Sequence, residues 1–431
     1  MSIIDNLLKP VRIPRMIRAK QLFAGETLTD IAAAVANEFA KPAIQAKILP
    51  GMTIAVAVGS RGIAALPEIV KQVVSQLQAC GAQPFIVPAM GSHGGATAEG
   101  QIDVLASLGV TQSSAGCPIK SSMAVVKLGE LDNGLPVLMD KNAMSADGIV
   151  VINRIKAHTG FTGPIESGVV KMITIGLGKQ EGADACHTYG FGTMAANIVE
   201  MAKVKLARSN ILFGVGILEN AYDRTANIVA IPAETLLETE QRLLTESKKN
   251  LPQIKFAKVD ILLVDQMGKD FSGSGMDCNV TGRAATPFVQ PASPLNPSRL
   301  VVFDLSDKSH GNANGMGFAD ISTRRLFNKI DFDITYPNFL TSTVIQSGKI
   351  PVIMNSDKLA IQTAIKTCNI GDINQINIVR IANTMSVENI YISENMLAEA
   401  EAHPDIRVIG QAGEMAFDED DNFTDLGQWV S

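Results

Sequence analysis

Three glycine-rich loops hold most of the side chains that could do chemistry: Val58-Gly59-Ser60-Arg61-Gly62, Met90-Gly91-Ser92-His93-Gly94-Gly95-Ala96-Thr97, and residues 153–163, with Arg154, Lys156 and His158. Glycine lets a backbone approach phosphate closely, and a helix N-terminus adds N–H donors and partial positive charge, so the loops suit a nucleotide-like ligand. Further on, Lys171 stands in the apolar run Val169-Val170-Lys171-Met172-Ile173. Apolar surroundings disfavour a charged amine, the usual route to a nucleophile for covalent cofactor attachment. His187 offers an imidazole able to ligate a transition metal.

Singly, each residue has a plainer reading: a structural histidine, or a lysine that snorkels or pairs at the surface. The string Gly176-Leu177-Gly178 with Gly182 lacks the flanking spacing of a dinucleotide fingerprint. Co-occurrence favours a site, because three of the five histidines fall in this half of the chain.

These residues must be positioned by an α/β scaffold. Short apolar runs at 53–58, 84–88, 148–153, 211–215, 261–264, 300–303 and 351–354 read as strands buried on both faces. Helices are expected between them at 66–80, 100–108, 194–205, 233–247, 358–367 and 393–402. Residues 66, 69, 70, 73, 74 and 77 form a 3.6-residue apolar stripe. Loops at the carboxyl ends of parallel strands line one crevice, so the three loops can converge on one ligand. The charged stretch at 250–257 suggests two domains, residues 1–255 and 256–431.

The chain has 431 residues, 46% hydrophobic and 19% charged, which excludes wholesale disorder. A net charge of −6 and 5% aromatic residues argue against a nucleic-acid or anionic-membrane surface. Five dispersed cysteines without a CxxC pair, no long apolar run and no secretory signal at the N-terminus point to a reduced, cytoplasmic protein.

With Ser60-Arg61, Gly-Ser-His at 91–93, His-x-x-Phe-x-Gly at 158–163, Lys171 and His187, the sequence resembles the nickel-pincer-nucleotide-dependent lactate racemase family. The order Arg, His, His, Lys, His is kept, at separations of 32, 65, 13 and 16 residues. The resemblance implies two α/β domains with an interdomain cofactor cleft, the second domain closing the substrate cleft. It implies a Ni(II) pyridinium-3,5-bisthiocarboxylic acid mononucleotide tethered to Lys171 through a thioamide, with His187 completing the nickel coordination. His93 and His158 would be the paired acid/base catalysts and Arg61 the grip on the substrate carboxylate. Gly91, Ser92, Gly94 and Gly95 would help hold the cofactor phosphate. The activity implied is racemisation or epimerisation by proton-coupled hydride transfer. The enzymes that make the cofactor would be maturation partners, and a homo-oligomer is left open.

Two departures bear on the substrate. Gly94-Gly95 follows His93 where family members carry an arginine, and the family's Tyr-Gln-x-x-Lys type motif is not recognisable in the C-terminal half. The loop at 264–277 stands in its place, with Lys269 as candidate second substrate contact; residues 309–317, Tyr336 and Asn338 could join it. A 2-hydroxy acid other than lactate fits better. Two other readings stay open: an oxidoreductase using a diffusible nicotinamide cofactor, and a non-catalytic protein that binds a nucleotide or hydroxy acid.

Overall fold

The computed structural model describes residues 3–284 and 286–429. They form two α/β units: Ala24–Leu251, and the residues up to Phe23 together with those from Pro252 onward. The division expected at 255/256 did not foresee that the first residues belong with the last. The reason is β1 (Met16–Gln21), whose basic residues hide a strand that pairs antiparallel with two C-terminal strands.

The unit Ala24–Leu251 opens with α1 (Ile31–Phe39), β2 (Thr53–Val58), α2 (Leu66–Ala79), β3 (Gln83–Pro88) and α3 (Ala98–Ser107). A hairpin follows, β4 (Val125–Glu130) and β5 (Pro136–Asp140), then β6 (Gly148–Arg154). Next come α4 (Val169–Lys171), a π-helical turn at Met172–Gly176, α5 (Lys179–His187) and α6 (Phe191–Arg208). β7 (Ile211–Glu219), β8 (Thr225–Pro232) and α7 (Leu236–Lys249) close the unit. Its main sheet has the order β3-β2-β6-β7-β8, parallel except for β8.

The period of two in β2 builds both cores. Ala55 and Ala57 join a cluster with Val87, Val151, Val169 and Ile173, while Ile54, Val56 and Val58 join one with the α2 stripe Ile69, Val70, Val73, Val74 and Leu77. Full burial of each such Val, Ile or Leu side chain contributes roughly 1.5–3 kcal/mol.

The other unit adds β9 (Ile261–Met267), β10 (Arg299–Leu305), β11 (Ile321–Thr323), α8 (Phe332–Ser342), β12 (Val352–Met354) and α9 (Asp357–Thr367). It ends with β13 (Ile378–Ile381), β14 (Asn389–Ser393) and β15 (Ile406–Gly413). The sheet order is β12-β11-β10-β9-β13-β14-β1-β15, parallel from β12 to β13 and antiparallel beyond. Of the helix expected at 393–402, only Leu397–Ala402 is α-helical. Ser393 ends β14 instead, because alternation buries Ile390 and Ile392 on one side while the strand pairs with β1 and β13.

A buried charge cluster ties this unit's C-terminal segment to its sheet. Arg380 on β13 donates to both oxygens of Asp265 on β9, at 2.7 and 2.9 Å, and to Asp425 at 2.9 Å. The indole of Trp429 donates to Asp265 at 2.7 Å, and Phe423 lies 3.7 Å beneath the guanidinium. Removing one partner strands the other charge without water. Asp265→Ala is therefore expected to lower stability by about 3–5 kcal/mol in urea unfolding; a loss under about 1 kcal/mol, the scale of an exposed pair, would contradict this account.

Candidate active site

The three glycine-rich loops leave the carboxyl ends of β3, β2 and β6, which are neighbours in the sheet. Each reaches the segment that carries Lys171. Gly59, after β2, faces the methyl of Met172, and a Cβ there would stand 2.7 Å from it. Gly91, after β3, donates its N–H to Gly176 O at 3.1 Å. Asn153, on β6, donates its side-chain amide to Gly168 O at 2.8 Å. The first two loops also meet each other, since Ser60 Oγ and His93 Nδ1 are hydrogen-bonded at 2.5 Å.

Lys171 is half-buried, with its amine 5.8 Å from the ring centre of Phe161. Burial, then the positive charge of Arg61, brings this amine down from 10.5 to about 8, and Cys186 opposes the change only weakly. His158 packs on Phe161 at 4.5 Å between ring centres, and Phe191 stands 6.2 Å from His158 and 6.1 Å from His187. Two phenyl rings thus gather Lys171, His158 and His187 into one partly desolvated group. Burial holds His158 well below 6.5, assisted by Lys171, His187, Lys156 and Arg61. Its imidazole is neutral at pH 7.

The ring nitrogens are not equivalent. His187 Nδ1 lies 2.7 Å from Ala183 O, one turn back on α5. A carbonyl only accepts, so Nδ1 carries the proton and Nε2 keeps a lone pair available to a metal. His187 too is held below the usual value by burial, against the Ala183 bond and with Lys171. His158 has the reverse tautomer: its Nδ1 accepts from Gly160 N at 2.9 Å. The neutral ring therefore presents Nε2–H, and it takes up a proton at Nε2 only once that bond is exchanged.

Buried polar side chains that the sequence reading did not single out hold these loops. Glu166, 1% exposed, accepts from His158 N at 2.7 Å, Gly163 N at 3.2 Å and the amine of Lys248 at 2.6 Å. Gln101 on α3 donates to Gly91 O at 2.9 Å and His93 O at 3.2 Å, and accepts from Lys179 at 2.9 Å. Lys179 also donates to Pro88 O at 2.6 Å and pairs with Asp140 at 3.1 Å, both side chains being fully buried. Their only signal in the sequence is a polar residue where the apolar pattern calls for none.

The remaining candidates are placed as follows. Arg61, Ser92, His93 and Gly95 are exposed. Gly94, at a φ of +66°, turns the loop back so tightly that a Cβ would stand 2.5 Å from Gly100 C. Lys269 belongs to the other unit, where its amine donates to Gly273 O at 2.6 Å and Asn338 Oδ1 at 2.8 Å. Among the described residues no group of three His, Cys, Asp or Glu side chains is arranged to hold a metal ion.

Residues 4–198 match the lactate racemase N-terminal domain. The match spans a little under half of the chain and carries the name of that domain alone. Among solved structures, it resembles the lactate racemase apoprotein from Thermoanaerobacterium thermosaccharolyticum, at 14% identity and a TM-score of 0.47 over 79% of this chain and 89% of that one. No curated protein matches the sequence. The matched residues include every candidate from Arg61 to His187. Lys248, which steadies Glu166, lies outside the match.

An amine held near 8 is free at lower pH than an ordinary lysine. Acylation of Lys171 by a small amine-reactive ester, followed by peptide mass mapping, is expected to rise with a midpoint near 8. A midpoint at the 10.5 of a solvated lysine would refute the desolvated setting.

Proposed function

We propose that this chain is a lactate racemase family member and an isomerase, a racemase or epimerase of a 2-hydroxy acid that works with a nickel-pincer nucleotide. One observation carries the reading. A lysine amine held near 8 stands in one group with an imidazole whose Nε2 lone pair is available and a second, neutral imidazole, inside the matched domain. The residues suit the cofactor: Lys171 would hold it through a thioamide, and His187 Nε2 would ligate the nickel. The Gly91, Ser92, Gly94 and Gly95 loop would take its phosphate on backbone amides.

When bound, the cofactor supplies an acceptor for the C2 hydride, so the acid passes through a planar 2-keto acid and not a carbanion beside a carboxylate. The chain supplies the rest. Arg61 offers a planar fork to the substrate carboxylate. Inversion requires a proton to leave and return at the hydroxyl on either face, which calls for two bases, His93 and His158. His93 Nδ1 faces a hydroxyl that can donate or accept, so its ring can take either tautomer. His158 first has to give up Gly160 N–H. Lys269 is the candidate second substrate contact, its amine oriented by Gly273 O and Asn338. The Gly94-Gly95 departure and the unrecognised C-terminal motif favour a substrate other than lactate.

Protein produced in a host that makes the cofactor is expected to carry stoichiometric nickel and to invert at least one acid in a panel of single-enantiomer 2-hydroxy acids. Lys171→Ala is expected to abolish covalent loading by intact mass. Covalent loading that survives Lys171→Ala, or a nickel-loaded protein that inverts no acid, would defeat the proposal. Because His158 is held below 6.5, neutral imidazole persists into mild acid, so the acid limb of kcat/KM attributable to it should lie below pH 6.5.

A further inference from the structure

The segment carrying Lys171 is a short and irregular one. Three α-helical residues run into a five-residue π-helical turn, a winding that departs from the regular i→i−4 ladder. Two buried ionisable side chains, both beyond the matched residues 4–198, hold it at its two ends. Glu240 on α7, 1% exposed, accepts from Val170 N at 2.9 Å. Gly168 makes room for that carboxylate, since a Cβ there would stand 2.0 Å from Glu240 Oε1. Lys205 on α6, also 1% exposed, donates to Ile173 O and Thr174 O, each at 2.8 Å.

The groups match the segment's own polarity, with an acceptor oxygen at the amide end and a donor amine at the carbonyl end. Both groups are expensive to bury. Desolvation pushes the Glu240 carboxyl up to about 8 against the pull of the Val170 and Val169 amides, and it brings Lys205 down to about 7. Glu240 Oε1 has no hydrogen-bond partner among the described residues. An apolar residue would fill the space at less cost but leave Val170 N–H unsatisfied.

We propose that Glu240 is a positioning residue for Lys171: with Lys205 opposite, it grips the segment by its two ends and fixes the depth at which the amine stands. The inference rests on the reading of Lys171 as the tether, yet its test needs no cofactor. In the full chain, the pH profile of Lys171 acylation is compared among the unaltered protein, Glu240→Ala, Glu240→Gln and Gly168→Ala. Glu240→Ala is expected to loosen the segment and let water reach the amine, so the midpoint climbs from about 8 toward 10.5. The rate at pH 7 then falls about tenfold per unit of climb. Glu240→Gln keeps an acceptor oxygen for Val170 N and should hold the original midpoint. Gly168→Ala evicts the carboxylate from the opposite side and should reproduce Glu240→Ala.

A folded Glu240→Ala protein with an unmoved midpoint overturns the proposal, as does Gln behaving like Ala. If neither Glu240→Ala nor Gly168→Ala folds, amide exchange in the unaltered chain decides: Val170 N–H protected like a helix interior supports the grip, and exchange as fast as an exposed loop overturns it. A protein that inverts no hydroxy acid yet shows the midpoint shift defeats the racemase reading alone; an unmoved midpoint with inversion intact defeats the role of Glu240 alone.

Discussion

The site depends on an imbalance of charge. The Lys171 amine makes no hydrogen bond or ion pair among the described residues, and the groups acting on it and on His158 are mostly cationic or neutral. Two other buried cations are ion-paired, Lys179 with Asp140 and Arg380 with Asp265. Around Phe161 and Phe191 that pairing is withheld, so burial and like charge act together on the amine. This favours a neutral, nucleophilic lysine and a neutral histidine at one pH, which separate solvated side chains would not provide.

Such a group cannot hold its own loops in place, and the fold assigns that task to other side chains. Glu166 collects two loop amides and Lys248, and Gln101 braces the His93 loop against the buried Lys179–Asp140 pair. The parallel sheet brings the loops to one edge, but it does not set their conformation. Buried polar contacts do, and each is most costly to break where no water can replace the lost partner.

Period and composition reveal the sheet strands of the Ala24–Leu251 unit that are apolar throughout, and the α2 stripe follows from helical spacing alone. Two of the strands that escaped notice carry charge: β1 has Arg18 and Lys20, and β13 has Arg380, whose burial makes sense only with Asp265 and Asp425 in place. The candidate site residues stood out because histidine and lysine are scarce in apolar or glycine-rich surroundings. Their supports did not, because Glu166 and Gln101 are ordinary residues whose meaning comes from partners up to 82 positions away along the chain. The tautomers of His158 and His187 likewise come from backbone atoms that folding brings to the rings.

The cluster's electrostatics would also set an order on the proposed chemistry. Lys171 ranks directly after burial among the causes that hold His158 down. Turning the amine into a neutral amide-like link removes that positive charge, so His158 moves back toward 6.5 and becomes the stronger base. Proton affinity at the second imidazole thus grows once the lysine is capped, while an uncapped lysine keeps it low. A bound anion acts in the same direction, because a carboxylate near Arg61 offsets another of the charges that depress His158. The chain as a whole carries −6, so this local excess of positive charge is a property of the site and not of the protein's overall balance.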